Sequence, residues 1–160
     1  MLYFPAMSAT THSPKGPLAA IVLAAGKGTR MRSSRAKVLH ELLGRPLVCY
    51  PIELARALGA DPVVAVLGHQ HETVEAALLA RFGAGAVTVV EQAEQKGTGH
   101  AVRLAMPALA RMEDGIVLVL YGDVPLLRAE TLPCRLWEPA AGPRRHRQRP
   151  ARSRPCGDRF

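Results

Sequence analysis

Four short apolar runs recur between Leu18 and Asp123, each parted from the next by residues that include a stretch with helical spacing. The runs are LAAIVLAAG from Leu18, DPVVAVLG from Asp61, AVTVVEQ from Ala86 and GIVLVLYGD from Gly115. The helical stretches are PLVCYPIELARALGA from Pro46, HETVEAALLARFG from His71 and GTGHAVRLAMPALARM from Gly97. Gly59 and Gly83 close the first two helices, as a left-handed C-terminal position requires. A strand that is apolar on both faces has to be covered on both faces. The pattern therefore predicts an α/β fold: a Rossmann-like, mostly parallel sheet with helices on each side.

The pattern begins at Leu18 and stops near Leu132. Residues 1–17 read as a disordered leader, with Met7 as an alternative start. They lack the charged n-region of a secretory signal, and their apolar part ends at Pro5. Residues 133–160 contain five Pro, eight Arg and no Lys, without apolar periodicity. Such a segment buries too little surface to offset its ordering entropy, so it reads as a disordered tail. Its Arg, Pro, Ala and Gly content resembles an out-of-frame reading of a GC-rich gene, or another premature truncation. A native basic tail is the alternative. The folded domain is accordingly expected over 18–132 and C-terminally incomplete.

Charge argues against a nucleic-acid partner, although the net value of +8 first points that way. Residues 133–160 carry eight Arg against two acids, whereas residues 1–132 carry 13 basic and 11 acidic residues. Aromatic side chains make up only 4% of the chain, too few for a stacking platform. No apolar run reaches the roughly 18–20 residues that span a bilayer. Cys49, Cys134 and Cys156 are few, odd in number and far apart, which favours a reducing compartment, by default the cytoplasm. Cys49 sits in an apolar helical stretch and reads as core.

In an open parallel sheet, ligands gather at the carboxyl ends of the strands. Three strand ends here are chemically unusual. After the first strand, Gly26 and Gly28 let backbone N–H groups approach an anion, while Lys27, Arg30, Arg32, Arg35 and Lys37 supply positive charge. The ATPase phosphate loop is excluded, because Ile21 and Gly28 stand where it needs Gly and Ser or Thr. The dinucleotide fingerprint is excluded by Met31 at its third glycine. After the third strand, Gln92 and Gln95 can donate and accept, as reading a base edge requires. Gly97, Thr98 and Gly99 then open a helix with free N–H groups. After the fourth strand, Asp123 offers a lone carboxylate that suits Mg²⁺, which takes few protein ligands. Each segment has a plainer reading on its own: a solvated basic loop, a glycine-containing turn, an Asp that caps a turn. On a strand His69 and His71 would share a face, but no third ligand is evident, and they read as loop or helix-start residues. His40 and His100 read as structural. Ser33 and Ser34 lack the setting of a hydrolase triad.

LAAGKGTRMRSSRAKVLHELLGRPL, EQAEQKGTGHAV and VLVLYGDVPLL, in that order, closely resemble the N-terminal uridylyltransferase half of the bacterial bifunctional enzyme that makes UDP-N-acetylglucosamine. The first motif is shared by many nucleotidyltransferases. KVLH, GTGHA and YGDVPL are more specific. The resemblance covers about residues 18–132. It implies transfer of UMP from UTP to N-acetylglucosamine 1-phosphate with release of pyrophosphate, for supply of a cell-wall precursor, and it implies Mg²⁺. It places Leu23, Ala24, Ala25 and Gly26 along the nucleotide. Arg30 and Lys37 would neutralise the triphosphate and the departing pyrophosphate. Gln92 would bond the uracil beside Gly97 and Thr98. Tyr121, Gly122 and Asp123 would line the site, with Asp123 on the metal. Lys96 stands where an uncharged residue is expected. The sugar-binding residues expected after residue 132 cannot be placed, so activity of this chain is in doubt. The acetyltransferase half through which the family mainly forms trimers is likewise expected to be missing. Two alternatives stand beside this reading. One is a cytidylyl-, thymidylyl- or guanylyltransferase, and the other a non-catalytic RNA-binding protein acting through its basic tail.

Overall fold

The structure is a computed structural model that describes residues 16–26, 28, 33–112 and 114–132. The leader through residue 15 and the whole 133–160 tail lie outside the described residues, and so does Arg30.

Strand β1 (Leu18–Ala24) is followed by a short 3-10 turn at Lys37–Leu39 and a hairpin of β2 (Glu41–Leu42) and β3 (Arg45–Pro46). Helix α1 (Cys49–Ala57), β4 (Val63–Leu67), α2 (His71–Phe82), β5 (Thr88–Glu91), α3 (Thr98–Ala105) and β6 (Ile116–Tyr121) follow in turn. The main sheet has the order β5-β4-β1-β6 and all its pairings are parallel. The chain steps from β1 outward to β4 and β5, then crosses back to lay β6 on the other side of β1. That reversal makes the β1–β6 junction a topological switch point, where a crevice opens beyond the strand ends.

Alternation along β1 divides the core in two. Leu18, Ala20, Val22 and Ala24 face α1 and α2, where they join Ile52, Ala55, Val74 and Leu78. Ala19 and Ile21 face α3, with Val64, Val66, Ala101 and Ala105. Both faces are covered, as expected for a strand without polar residues. Glu53 binds the small hairpin to both helices, accepting from Arg45 at 2.8 Å and Arg81 at 2.9 Å.

Three local features differ from the sequence reading. The hairpin at 41–46 lies between the basic loop, which ends at Lys37, and the helical pattern, of which it takes only the first residue, Pro46. Leu43 and Gly44 form its two-residue turn with φ of 50° and 74°, the mirror-image turn that matches strand twist. The third helix ends at Ala105 and tightens into a 3-10 turn at Met106–Leu109, because Pro107 cannot donate into an α-helical ladder. Among the described residues, strand β6 is covered on one face only. Leu118 and Leu120 are buried on the α1 side, while Val119 is 42% and Tyr121 54% exposed. Helix α3 packs chiefly over β1, β4 and β5. Among the described residues β6 pairs with β1 alone.

Cys49 is fully buried, as its apolar surroundings imply. Burial pushes its thiol up from the usual value, Glu53 adds to the shift, and Arg81 and Arg45 oppose it. The neutral thiol is thus favoured by folding. Its stabilising contribution is complete below the unfolded thiol value of about 8.5, and it is lost as pH rises through the higher folded value. Urea midpoints taken at about pH 7.5 and about pH 10 should fall further for the natural chain than for Cys49→Ala. Parallel falls in both would show that Cys49 does not carry this dependence.

Candidate active site

The crevice beyond β1, β5 and β6 is a cleft of about 630 Å³. It is lined from β1 and its exit by Leu23, Ala24, Ala25, Gly26 and Gly28, and from the 3-10 turn by Lys37 and Val38. The β5 exit and α3 contribute Gln92, Gln95, Gly97, Thr98 and Ala101, and the end of β6 contributes Tyr121 and Asp123. The sequence-predicted residues Leu23, Ala24, Ala25, Gly26, Lys37, Gln92, Gly97, Thr98, Tyr121 and Asp123 therefore meet in one place. Gly122 acts from behind this wall. Its N–H donates to the Leu23 carbonyl at 2.9 Å, and a Cβ there would lie 3.1 Å from both Ala24 Cβ and Leu23 O. A side chain there would need its neighbours to give by a few tenths of an ångström.

The charged centre of the cleft is an ion pair between Lys37 Nζ and Asp123 Oδ2. Its partners come from opposite ends of the domain sequence, 86 residues apart. Each side chain is about one-third exposed, 36% for Lys37 and 32% for Asp123. The Lys37 backbone is held by its neighbours. Val38 and Leu39 are buried, and Val48 N–H donates to the Val38 carbonyl at 3.1 Å. Gly28 adopts φ +61°, and a Cβ there would come within 2.7 Å of Lys37 Cβ. The lysine stem passes where any other residue at 28 would intrude.

The wall formed by the β5 exit and α3 is polar and mostly satisfied. Gln92 is only 3% exposed, and its backbone N–H extends the β4–β5 ladder by donating to Leu67 O at 2.7 Å. Its Nε2 donates to the Gly97 carbonyl at 3.2 Å and lies 3.0 Å from His100 Nδ1. Gln95, read from sequence as a base reader, turns its amide Nε2 onto the Ala25 carbonyl and ties two strand exits together. Gly97 caps α3 with φ 87°, a conformation that favours glycine. Thr98 opens the helix, so its first N–H groups face the cleft end.

Some contributors are missing from the sequence reading. Gly68 lies against Ala25, where a Cβ would be 2.5 Å from the Ala25 carbonyl. A glycine ending a strand is too common to mark that contact. His100 reads as structural from sequence, yet it contacts Gln92, eight positions earlier. No spacing rule links a strand exit to a residue in the next helix. His71 opens α2 with Nδ1 3.4 Å from Glu91 Oε1. Among the described residues no three His, Cys, Asp or Glu side chains are grouped as a metal cluster.

Residues 20–149 match the family model described as the MobA-like NTP transferase domain, and the chain belongs to that family of nucleotidyltransferases. Among named relatives, it is 61% identical over 122 residues to the "Bifunctional protein GlmU" of an Anaeromyxobacter species, and 58% identical over 116 residues to that of Pelobacter propionicus. Those alignments take in 76% and 72% of this chain but 25% and 24% of the relatives. The chain thus spans about a quarter of the length of the curated relatives it matches. Among solved structures, an inositol-1-phosphate CTP transferase from T. maritima is 26% identical with a TM-score of 0.57, covering 68% of this chain and 44% of that one. A Methanothermobacter nucleotidyl transferase is 25% identical with a TM-score of 0.61, covering 75% and 56%. Among the described residues no helix is long and apolar enough to cross a membrane.

Replacing Gly28 with Ala should push Lys37 away from the cleft. Nucleoside triphosphate affinity should fall roughly tenfold, the size of one lost charge-assisted contact. Calorimetry on Gly28→Ala measures this, and unchanged affinity would show that the Lys37 position does not depend on Gly28.

Proposed function

We propose that the cleft binds UTP and belongs to a uridylyltransferase that uses N-acetylglucosamine 1-phosphate. The observation that carries this reading is the meeting of one cation, Lys37, one carboxylate, Asp123, and one buried amide, Gln92, at a single switch-point cleft. The GlmU relatives support the choice of sugar nucleotide.

In the proposed reaction, a phosphate oxygen of the sugar 1-phosphate attacks the α-phosphorus of UTP in line. The bond from α-phosphorus to the bridging oxygen breaks, and pyrophosphate leaves with the electron pair. No protein nucleophile is required, and catalysis is positioning and charge neutralisation. The donor set fits Mg²⁺: Asp123 offers one carboxylate, and phosphate oxygens and water would fill the remaining positions. Bound there, the ion would supply charge stabilisation for the phosphates. Lys37 would hold phosphate oxygens, and Arg30 would join it from the loop. Leu23, Ala24, Ala25 and Gly26 would flank the nucleoside, with Gln92, Gly97, Thr98 and Tyr121 around the base and ribose.

UTP titration of the full chain with Mg²⁺ tests binding, and pyrophosphate release with N-acetylglucosamine 1-phosphate tests turnover. Asp123→Ala is expected to lower turnover at least a hundredfold, and unchanged pyrophosphate release would sink the assignment. Tighter binding of CTP, dTTP or GTP would redirect it to another nucleotidyltransferase. RNA binding lost on deletion of 133–160, with no nucleotide binding, would favour the basic-tail reading. UTP binding without pyrophosphate release would mean that the chain keeps the nucleotide site but not the sugar site.

The Lys37–Asp123 pair carries a separate expectation. A metal ion arriving without nucleotide meets a carboxylate already neutralised by lysine. Lys37→Met should bind Mg²⁺ alone about fivefold more tightly, equivalent to ~1 kcal/mol of repulsion between neighbouring cations. It should bind UTP–Mg²⁺ more weakly. Mn²⁺ titration followed by electron paramagnetic resonance measures the first effect without turnover.

A further inference from the structure

We propose that His100 determines the base preference of this cleft by locking the amide of Gln92. The inference rests on the proposed nucleotide-binding role of the cleft and concerns a residue outside that assignment. His100 is a positioning residue, because it acts through Gln92.

The Gly97 carbonyl can only accept a hydrogen bond. Gln92 Nε2 lies 3.2 Å from the Gly97 carbonyl oxygen. The amide must therefore turn its nitrogen, not its oxygen, toward Gly97. That same nitrogen lies 3.0 Å from His100 Nδ1. With one amide hydrogen on Gly97 and the other on His100, Nδ1 must accept through its lone pair. His100 is then the tautomer with its proton on Nε2. Both hydrogens of the amide are spent. Among the described residues no donor is placed on Gln92 Oε1.

Gln92 lines the cleft although almost wholly buried. It therefore presents an acceptor and no donor to an incoming base. The N3 position of uracil carries a hydrogen that such an acceptor can bond. The N3 of cytosine carries a lone pair and would face Oε1 without a hydrogen between them. A buried acceptor left opposite a lone pair loses its bond and keeps its desolvation cost. A free glutamine could rotate and present either end. The Gly97 and His100 contacts together remove that freedom, so discrimination depends on the histidine as well as on the glutamine.

The test compares UTP and CTP affinities, each with Mg²⁺, in the full chain and its variants. The natural chain should prefer UTP at least tenfold. His100→Ala should reduce that ratio to threefold or less, mainly by strengthening CTP binding. His100→Asn should retain the ratio, because Asn Oδ1 falls near the place of Nδ1 and also accepts. An unaltered ratio in His100→Ala overturns the proposal, as does equal binding of UTP and CTP by the natural chain. Failure of the natural chain to bind either nucleotide would instead overturn the nucleotide-site reading on which the proposal rests. Nitrogen-15 NMR of the His100 ring provides a readout independent of ligands and of the folding of any variant. The expected result is Nε2 protonated and Nδ1 bare but hydrogen-bonded, and a proton on Nδ1 overturns the lock.

Discussion

Strand β1 is hydrogen-bonded to β4 along one edge and to β6 along the other, and that double pairing sets the level at which the cleft opens. Leu23 stands opposite Val66 on one side and Tyr121 on the other. Just beyond, Gly122 N–H bonds the Leu23 carbonyl and Gln92 N–H bonds the Leu67 carbonyl. The exits of β1, β5 and β6 therefore leave the sheet together. A slip of one residue in either pairing would exchange the two faces of a strand. It would drive residues packed under α1 and α2 toward α3. The register that keeps two cores filled is also the register that brings Asp123 to Lys37.

The cleft depends on both close backbone approach and charge. Gly28, Gly68 and Gly122 each occupy a place where a Cβ would meet a neighbour at 3.1 Å or less. They allow Lys37, Ala25 and Leu23 to come close without a side chain between. Gln95 and Gln92 then occupy polar groups that would otherwise stand unpaired as the strands end. Gln95 takes the Ala25 carbonyl, and Gln92 takes the Gly97 carbonyl. Of the two only Gln92 is buried, and a buried amide with its hydrogens satisfied is rigid enough to discriminate between ligands.

Much of this was readable before any coordinates. Apolar runs without polar interruption could only be covered strands, and glycines at 59 and 83 marked helix ends. The three strand-end segments were identifiable as a site because an open parallel sheet collects its exits on one side. The hairpin at 41–46 was obscured by its charged and short-lived pattern, since two-residue strands have no periodicity to detect. The half-covered face of β6 was also hidden. Ile116–Tyr121 reads as buried throughout, and which face is covered depends on where α3 crosses the sheet.

The sequence by itself determined the class of fold, the succession of the four main-sheet strands and three helices along the chain, and which residue types wait at each strand end. Those follow from local hydrophobic pattern and glycine chemistry, which act over a few neighbouring residues. Only the tertiary structure decided that Lys37 bonds Asp123 and that Gly28 clears a path for the lysine stem. It alone turned Gln95 toward the β1 exit and placed His100 against the Gln92 amide. Those contacts join segments whose relative positions are set by strand register and helix packing, and no local pattern encodes which side chains such packing will bring together.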